Sequence, residues 1–424
     1  MPRNKILTDR KTKEKAVTSP VGSRPRWAFS LLVGAERRAF LAVCLITTVC
    51  GAQEFCDHGL GPSPRDRRMN AVRPPPNHPL PVPDLYAELE RLLEQIPRGR
   101  VTTYGALGQA LGEVRAARWI ATFLLDPDAP VRLPAHRVVL RDGALGEYFT
   151  GDSSEKARRL RSEGVAVKQG RVDLARFEFR DLVSSRPLTQ LAELQRALVS
   201  RISLERPDRD PQLVAGVDTS YASINPGGPV EAAAAYALVD VDSGRLQWSL
   251  TVRRPVRFPY IPGFLTFREL PLYLELLAEA RRRGKLADVV FVDGNGILHH
   301  RQAGIASHTG VAAGVPTIGV GKSLLCGQVD LKDMRGGEAR PVTFEGGTLA
   351  MALRPGANGR PIFVSPGHRV DVNFAVDLAR RLLRGHRVPE PIYHAHTLSR
   401  QAVGGAPAGV EGAKPQACGE GEAM

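Results

Sequence analysis

Apolar residues first recur with a helical rhythm at position 85. Leu85, Leu89, Leu92, Leu93 and Ile96 follow at i, i+4, i+7, i+8 and i+11, Asp84 stands where an N-cap belongs, and Pro97-Arg98-Gly99 ends the run. Two shorter helical stretches, about 104–111 and 116–125, are separated by Gly112-Glu113, the spacing of a helix-turn-helix or of two helices that merely pack. A polar, Arg-rich connection over 166–190 leads into a helix near 188–198. From 214 the pattern changes to short β-branched runs at 214–217, 232–241, 248–252, 289–292, 317–320 and 361–364. Helices intervene at 268–283, with Leu270, Tyr273, Leu274 and Leu277 on one face, and at 372–383. Hairpins followed by alternating strands and helices predict a mixed α/β sheet with carboxylates at strand ends.

The first 80 residues carry no such pattern. They combine a basic start, an apolar run at 40–49 behind Arg37-Arg38, and a Pro/Arg-rich stretch ending in Pro74-Pro75-Pro76. A secretory signal and a mis-started or disordered leader are the competing readings. Met69, just ahead of the first periodic helix, and the chemistry below favour the leader and a cytoplasmic protein. The expected division is a leader over 1–80, a first domain over 81–168, a linker over 169–188, a second domain over 189–398 and a Gly/Ala/Pro-rich tail over 399–424.

Charge changes the picture less than its total suggests. The net charge is +14, but residues 1–80 hold 4 Lys and 10 Arg against 6 acidic residues, so 81–424 carry only +6. A nucleic-acid partner therefore has to be argued from a site. Three of the five cysteines, Cys44, Cys50 and Cys56, lie in the leader, and with Cys326 and Cys418 they form neither a disulfide framework nor a paired zinc motif. No apolar run reaches about 18 residues, so no membrane partner is expected.

Two apolar runs each finish in an aspartate, Asp218 and Asp293. If the strands are neighbours, two carboxylates share one rim and need a cation, and hard oxygen ligands select Mg²⁺ or Mn²⁺. Each Asp alone is equally a turn cap. Glu269, His299, Arg301, Lys322 and His368 each have an ordinary explanation, yet together they offer what phosphodiester hydrolysis needs: a metal site, cations for the transition state and a proton-transfer group.

At these residues the chain resembles the endonuclease V family. The motifs are VDTSY at 217–221, PYIPGFLTFRE at 259–269, DGNGILHHR at 293–301, GIASHTG at 304–310, PTIGVGKS at 316–323 and SPGH at 365–368, in family order over about 190–397. The resemblance implies a ribonuclease-H-like fold and a Mg²⁺-dependent nick at the second phosphodiester 3′ to deoxyinosine, or cleavage of inosine-containing RNA as the alternative. It further implies Asp218 and Asp293 as metal ligands, with Glu269 supporting directly or through water. His368 would orient or relay protons, Lys322 would lie near the scissile phosphate, and Tyr260 would be the wedge at the opened base pair, with His299 beside it on the DNA. Asn295 and His300 stand where relatives often carry other residues, and Gly321 where Ala is usual.

In the first domain, residues 96–104, Ala116-Ala117-Arg118, Leu133-Pro134-Ala135-His136-Arg137-Val138 and Gly146-Glu147-Tyr148 resemble the DNA-binding domain of O6-alkylguanine-DNA alkyltransferases over about 84–165. Ala135 occupies the position of that family's acceptor cysteine, and a methyl group cannot attack carbon. The domain thus resembles the alkyltransferase-like proteins that bind lesions without reversing them. Tyr104 and Arg118 match the residues that rotate the phosphate and fill the vacated stack, Tyr148 matches the pocket residue, and His136 and Arg137 complete the DNA-binding motif, Arg137 as a structural part of it. Asp126 replaces the family's Asn in the hinge. The fold class implied is α/β, a winged helix-turn-helix alkyltransferase-like domain followed by a ribonuclease-H-like mixed-sheet domain. The DNA partners implied carry deoxyinosine or O6-alkylguanine. As an independent module, the first domain would act by raising local DNA concentration.

Overall fold

The computed structural model describes residues 82–126, 133–222, 230–357 and 359–404. The expectations for the leader, the hinge after Asp126 and the tail beyond 404 lie outside them. No helix among the described residues is long and apolar enough to cross a membrane.

The first domain opens with α1 (Leu85–Glu94), where the Asp84 carboxylate caps the amides of Tyr86 and Ala87 at 3.1 Å. There follow β1 (Thr102–Thr103), α2 (Tyr104–Ala110), a 3-10 turn at Val114–Ala116, α3 (Ala117–Leu124) and, after a second 3-10 turn at Ala135–Arg137, β2 (Val138–Val139). α2 and α3 form the expected helix-turn-helix, and β1 pairs with β2 in parallel. α4 (Ser153–Ser162), the hairpin β3 (Val167–Lys168) and β4 (Arg171–Val172), and α5 (Leu174–Phe177) complete the domain.

The stretch expected as a linker, 169–188, does not run free. Phe177 is buried, and the Phe179 amide donates to the Val101 carbonyl at 2.6 Å. Gln95 exchanges two hydrogen bonds with the Val183 backbone, and the buried Glu88 carboxylate accepts from Ser184 and Ser185. The Arg-rich composition suggested solvation, but the backbone polar groups have fixed partners.

The second domain comprises α6 (Pro187–Leu198), β5 (Leu213–Tyr221), β6 (Val230–Asp240), β7 (Leu246–Val256), α7 (Leu265–Arg282), β8 (Val289–Asp293), α8 (Ile305–Ala313), β9 (Thr317–Gly321), β10 (Ala339–Phe344), β11 (Gly347–Leu353), β12 (Ile362–His368), α9 (Val372–Arg381) and α10 (Glu390–Val403). Eight strands form one sheet in the order β10-β11-β12-β9-β8-β5-β6-β7, with β8 parallel to both β5 and β9 and every other pair antiparallel. Alternation along the strands sorts the core. Ala215, Val217 and Val292 face α7 and α8, while Val214, Phe291, Ile318 and Val320 face α9 and α10. α10 continues past 398, and Ser399 within it is fully buried.

One buried cluster crosses the domain boundary. Leu85, Leu89, Trp119 and Phe123 of the first domain pack with Leu188, Leu191, Phe258, Ile261, Phe264 and Phe267 of the second. Burying a large apolar side chain is worth about 1.5–3 kcal/mol, so this seam holds far more firmly than a tether. The domains are joined through a shared core.

Candidate metal centre and DNA-facing residues

The register of β5 and β8 carries the site. Val217 pairs with Val292, so Asp218 and Asp293 stand next to each other one step further, at the ends of two adjacent parallel strands. Both have the parity of the face covered by α10. Asp218, Asp293 and His396 each direct a ligand atom to a place where all three lie within 4.8 Å of one another. Asp218 Oδ2 is 2.7 Å from His396 Nδ1 and accepts from the Ser399 hydroxyl at 3.3 Å. Lys322, one step beyond β9, donates its ammonium to Asp293 Oδ2. Burial first, and the Asp218 charge second, raise the pKa of Asp293, while Lys322 opposes them. Two carboxylates crowded by one lysine and an imidazole make a donor set of mixed oxygen and nitrogen that suits a divalent cation.

His396 lies outside the motifs legible in the sequence, next to a stretch expected as tail from 399, ahead of which no helix is predicted. Pro391, Ile392, Ala395, Ser399 and Ala402 form the buried stripe of α10, a signal that was available. The helix reaches the aspartate because Gly216 on β5 has no side chain. A Cβ there would lie 1.9 Å from the Pro391 carbonyl oxygen, so α10 sits flush on the strand.

Two expected participants fall elsewhere. Glu269, 6% exposed, does not join the three-residue cluster: its oxygens accept from Tyr221 at 2.9 Å and Tyr273 at 3.0 Å. Burial foremost, with the Asp218 and Asp293 charges adding, pushes it up to about 8. Glu269 thus stands outside the cluster of three ligand atoms, with both of its oxygens engaged by tyrosines. His368 pairs across the sheet with Thr317, whereas Asp293 is level with Val320. Three residues of strand put about 10 Å between the two levels. His368 Nδ1 accepts from the Ser203 amide at 3.2 Å, and burial followed by the charges of Arg369 and Arg201 holds it down to about 4. It stands at the wrong end of β9 for the proton-relay role, and the imidazole at the carboxylates is His396.

Tyr260 projects from the loop between β7 and α7 and is 62% exposed. His299, expected on the DNA, is instead buried under that loop. Its Nδ1 accepts from the Arg301 amide at 3.1 Å, which leaves the proton on Nε2 facing the Gly263 carbonyl at 3.2 Å. Burial, then Arg301, holds its pKa down to about 3, so it braces the loop as a neutral ring. The Gly263 oxygen also accepts from Arg301 at 2.6 Å and Gln195 at 3.3 Å.

In the first domain Tyr104 is the first residue of α2, and Arg118 lies exposed on α3. Ala135 and Tyr148 are buried in one cluster with Tyr104 packed against it. His136 and Arg137 turn inward. Glu163 lies 3.0 Å from His136 Nε2 and accepts from Arg137 at 2.7 and 2.9 Å, while Arg137 also donates to the Ile96 carbonyl. Burial alone would raise Glu163, but these bonds outweigh it and hold it down to about 2. Both residues brace the Ala135 turn from inside the protein. Lys156, passed over in the sequence, is fully buried; its ammonium donates to the Leu145 carbonyl at 2.5 Å, 6.0 Å from the centre of the Tyr104 ring, and burial lowers it to about 8.

Comparison with known proteins adds two matching family models, endonuclease V over residues 196–397 and the 6-O-methylguanine DNA methyltransferase DNA-binding domain over 84–165. A bifunctional methyltransferase/endonuclease from Picrophilus torridus is 35% identical over 74% of this chain and 95% of its own length. An endonuclease V from Azotobacter vinelandii is 44% identical over 49% of this chain and 92% of its own. The crystal structure of human ENDOV aligns at 31% identity with a TM-score of 0.47, over 51% of this chain and 98% of that one.

Proposed function

This chain belongs to the endonuclease V family, fused to the DNA-binding domain of the 6-O-methylguanine DNA methyltransferases, and on that premise we propose that it nicks DNA at the second phosphodiester 3′ to deoxyinosine and binds O6-alkylguanine without repairing it. The observation that carries the nuclease reading is the convergence of Asp218, Asp293 and His396 on one point. These three residues would hold Mg²⁺ or Mn²⁺, which supplies Lewis-acid stabilisation of charge on the phosphoryl oxygens. Lys322, hydrogen-bonded to Asp293, puts a positive charge beside the scissile phosphate as its negative charge grows. Glu269 locks Tyr221 and Tyr273 behind Asp218 and keeps that wall rigid. Tyr260, on a loop held by three donors to Gly263, fills the space of the displaced base.

For the first domain, the supporting observation is Ala135 itself. It sits in the buried turn with Tyr148, and Cys326, the cysteine among the described residues, belongs to a different core in the second domain. Lesion binding is retained in this reading and methyl transfer is not.

The test is cleavage of matched duplexes carrying deoxyinosine, O6-methylguanine or neither, with an inosine RNA strand alongside, in Mg²⁺ and in chelator, with nicks mapped. The expected product is a nick one bond beyond the 3′ neighbour of deoxyinosine, abolished by chelator. Uncut deoxyinosine DNA, or cutting indifferent to chelator, overturns the reading.

A further inference from the structure

The seam between the two domains has a charged lip. From the turn of the helix-turn-helix come Glu113 and Arg115, which form a two-pronged ion pair at 2.8 and 3.0 Å. From the second domain come Arg301, the exposed His300 and, on α6, the exposed Arg196. The two sides meet at Gly263. A Cβ built there would lie 3.1 Å from Arg301 Nη2 and 3.4 Å from Arg115 Nη1. The turn is seated on α6 by a hydrogen bond from the Leu188 amide to the Leu111 carbonyl at 2.9 Å.

The Glu113 carboxylate thus answers to two guanidiniums, Arg115 and Arg301, and a third, Arg196, bears on Arg301. Arg301 is fixed: it stacks 4.5 Å over the Phe264 ring, donates Nε to Gln195 at 2.8 Å and Nη2 to Gly263, and its remaining nitrogen has no acceptor among the described residues. Burial first, and the Arg115 charge second, lower its pKa to about 10. Arg196 has no carboxylate partner among the described residues. Rigid, half-exposed guanidiniums with surplus positive charge are suited to a phosphodiester, which accepts forked hydrogen bonds and releases counterions on binding.

We propose that this lip binds a backbone phosphate of the duplex on which the nuclease acts, so that both domains grip a single DNA. The proposal rests on the nuclease reading above for the identity of its ligand. Its position supports a shared duplex. Tyr260 precedes Gly263 by three residues, a span of at most about 10 Å or roughly three base steps. Arg118 follows Arg115 by three residues, one helical turn onward. The two side chains expected to enter the base stack therefore each lie within three residues of the phosphate site, and the first domain sets where along the duplex the wedge is presented.

Binding of the full-length chain to undamaged and deoxyinosine duplexes, measured by anisotropy in chelator between about 50 and 200 mM salt, tests it. Arg115→Ala should lower the salt slope by about 1 on both duplexes, and Arg115→Lys should keep most of it. Glu113→Gln, which removes the competing carboxylate, should tighten binding. A purely structural Glu113–Arg115 pair predicts lower melting temperatures with slopes unmoved, and that result, or weaker binding by Glu113→Gln, overturns the proposal. Nicking by the parent chain is scored separately. A parent that fails to cut deoxyinosine yet shows these slope changes removes the nuclease reading and keeps the phosphate site; a parent that cuts with slopes unmoved removes the site alone.

Discussion

The carboxamide of Asn295 occupies the space that a side chain at residue 321 would fill: a Cβ on Gly321 would lie 2.7 Å from Asn295 Oδ1. Two of the three positions expected to depart from the family motif are thus fitted to each other, on the strand ends that carry Asp293 and Lys322. Because the crowded atom is the end of a side chain, Gly321→Ala should displace the carboxamide without unfolding the protein. Nicking by Gly321→Ala and by Asn295→Ala should fall by a similar factor, and the double variant should be no worse than either. Additive losses in this cycle would show that the two positions are independent.

Asp218→Ala and Asp293→Ala should each reduce nicking by about a thousandfold or more while DNA binding persists. His396→Ala should cost about a hundredfold or more, whereas His368→Ala should stay within a few-fold of the parent. Single-turnover rates with deoxyinosine duplex measure both. The reverse ranking of the two histidines would restore the expectation drawn from the motif.

Ala135→Cys should bring methyl acceptance to a domain whose acceptor position holds an alanine. The new thiol would sit beside His136, which is already engaged by Glu163. Transfer of labelled methyl from O6-methylguanine DNA to the variant, and not to the parent, is the expected result. Transfer to the parent would contradict the reading of the domain as a binder alone.

Glu163 couples the same turn to pH. Its folded-state pKa, about 2, lies below the ordinary 4.5, so its contribution to stability is complete above about 4.5 and fades as pH falls toward 2. His136 is also depressed, by burial foremost, below 6.5, so it too favours the folded state above that value and loses its effect on acidification. Glu163→Gln should be less stable than the parent by about 3 kcal/mol at neutral pH, with the gap closing below pH 4. Urea midpoints across pH report this directly; a gap that is constant with pH would rule out the ionic contribution.

The shared core predicts common unfolding. Phe264→Ala should cost about 3–5 kcal/mol and lower the melting of both domains in one calorimetric transition. Two separate transitions in the parent would mean that the seam contributes little.

Much of this was legible from residue order. Asp84 announced α1, and the two runs ending in Asp218 and Asp293 announced the rim, because parallel neighbours with period-two alternation leave little choice of face. α8 was not legible: nearly every residue from Ile305 to Ala313 is buried, so no polar stripe marks its period. The hairpin of β10 and β11, with few β-branched residues, was also missed, although Glu345 and Gly346 both adopt the left-handed conformation that such a turn needs. His368 misled because adjacency to a motif carries no register. Only the pairing of β12 with β9 shows which end of the strand it occupies.

Gly216 lies below the rim and touches no reacting group, yet it fixes the distance from strand to imidazole. A methyl at that position would act as a shim, lifting the start of α10 and drawing His396 away from Asp218. The nuclease would then resemble one that had lost a ligand while every ligand remained in its sequence, so the tolerance of the centre to change is governed partly by a residue with no chemistry of its own.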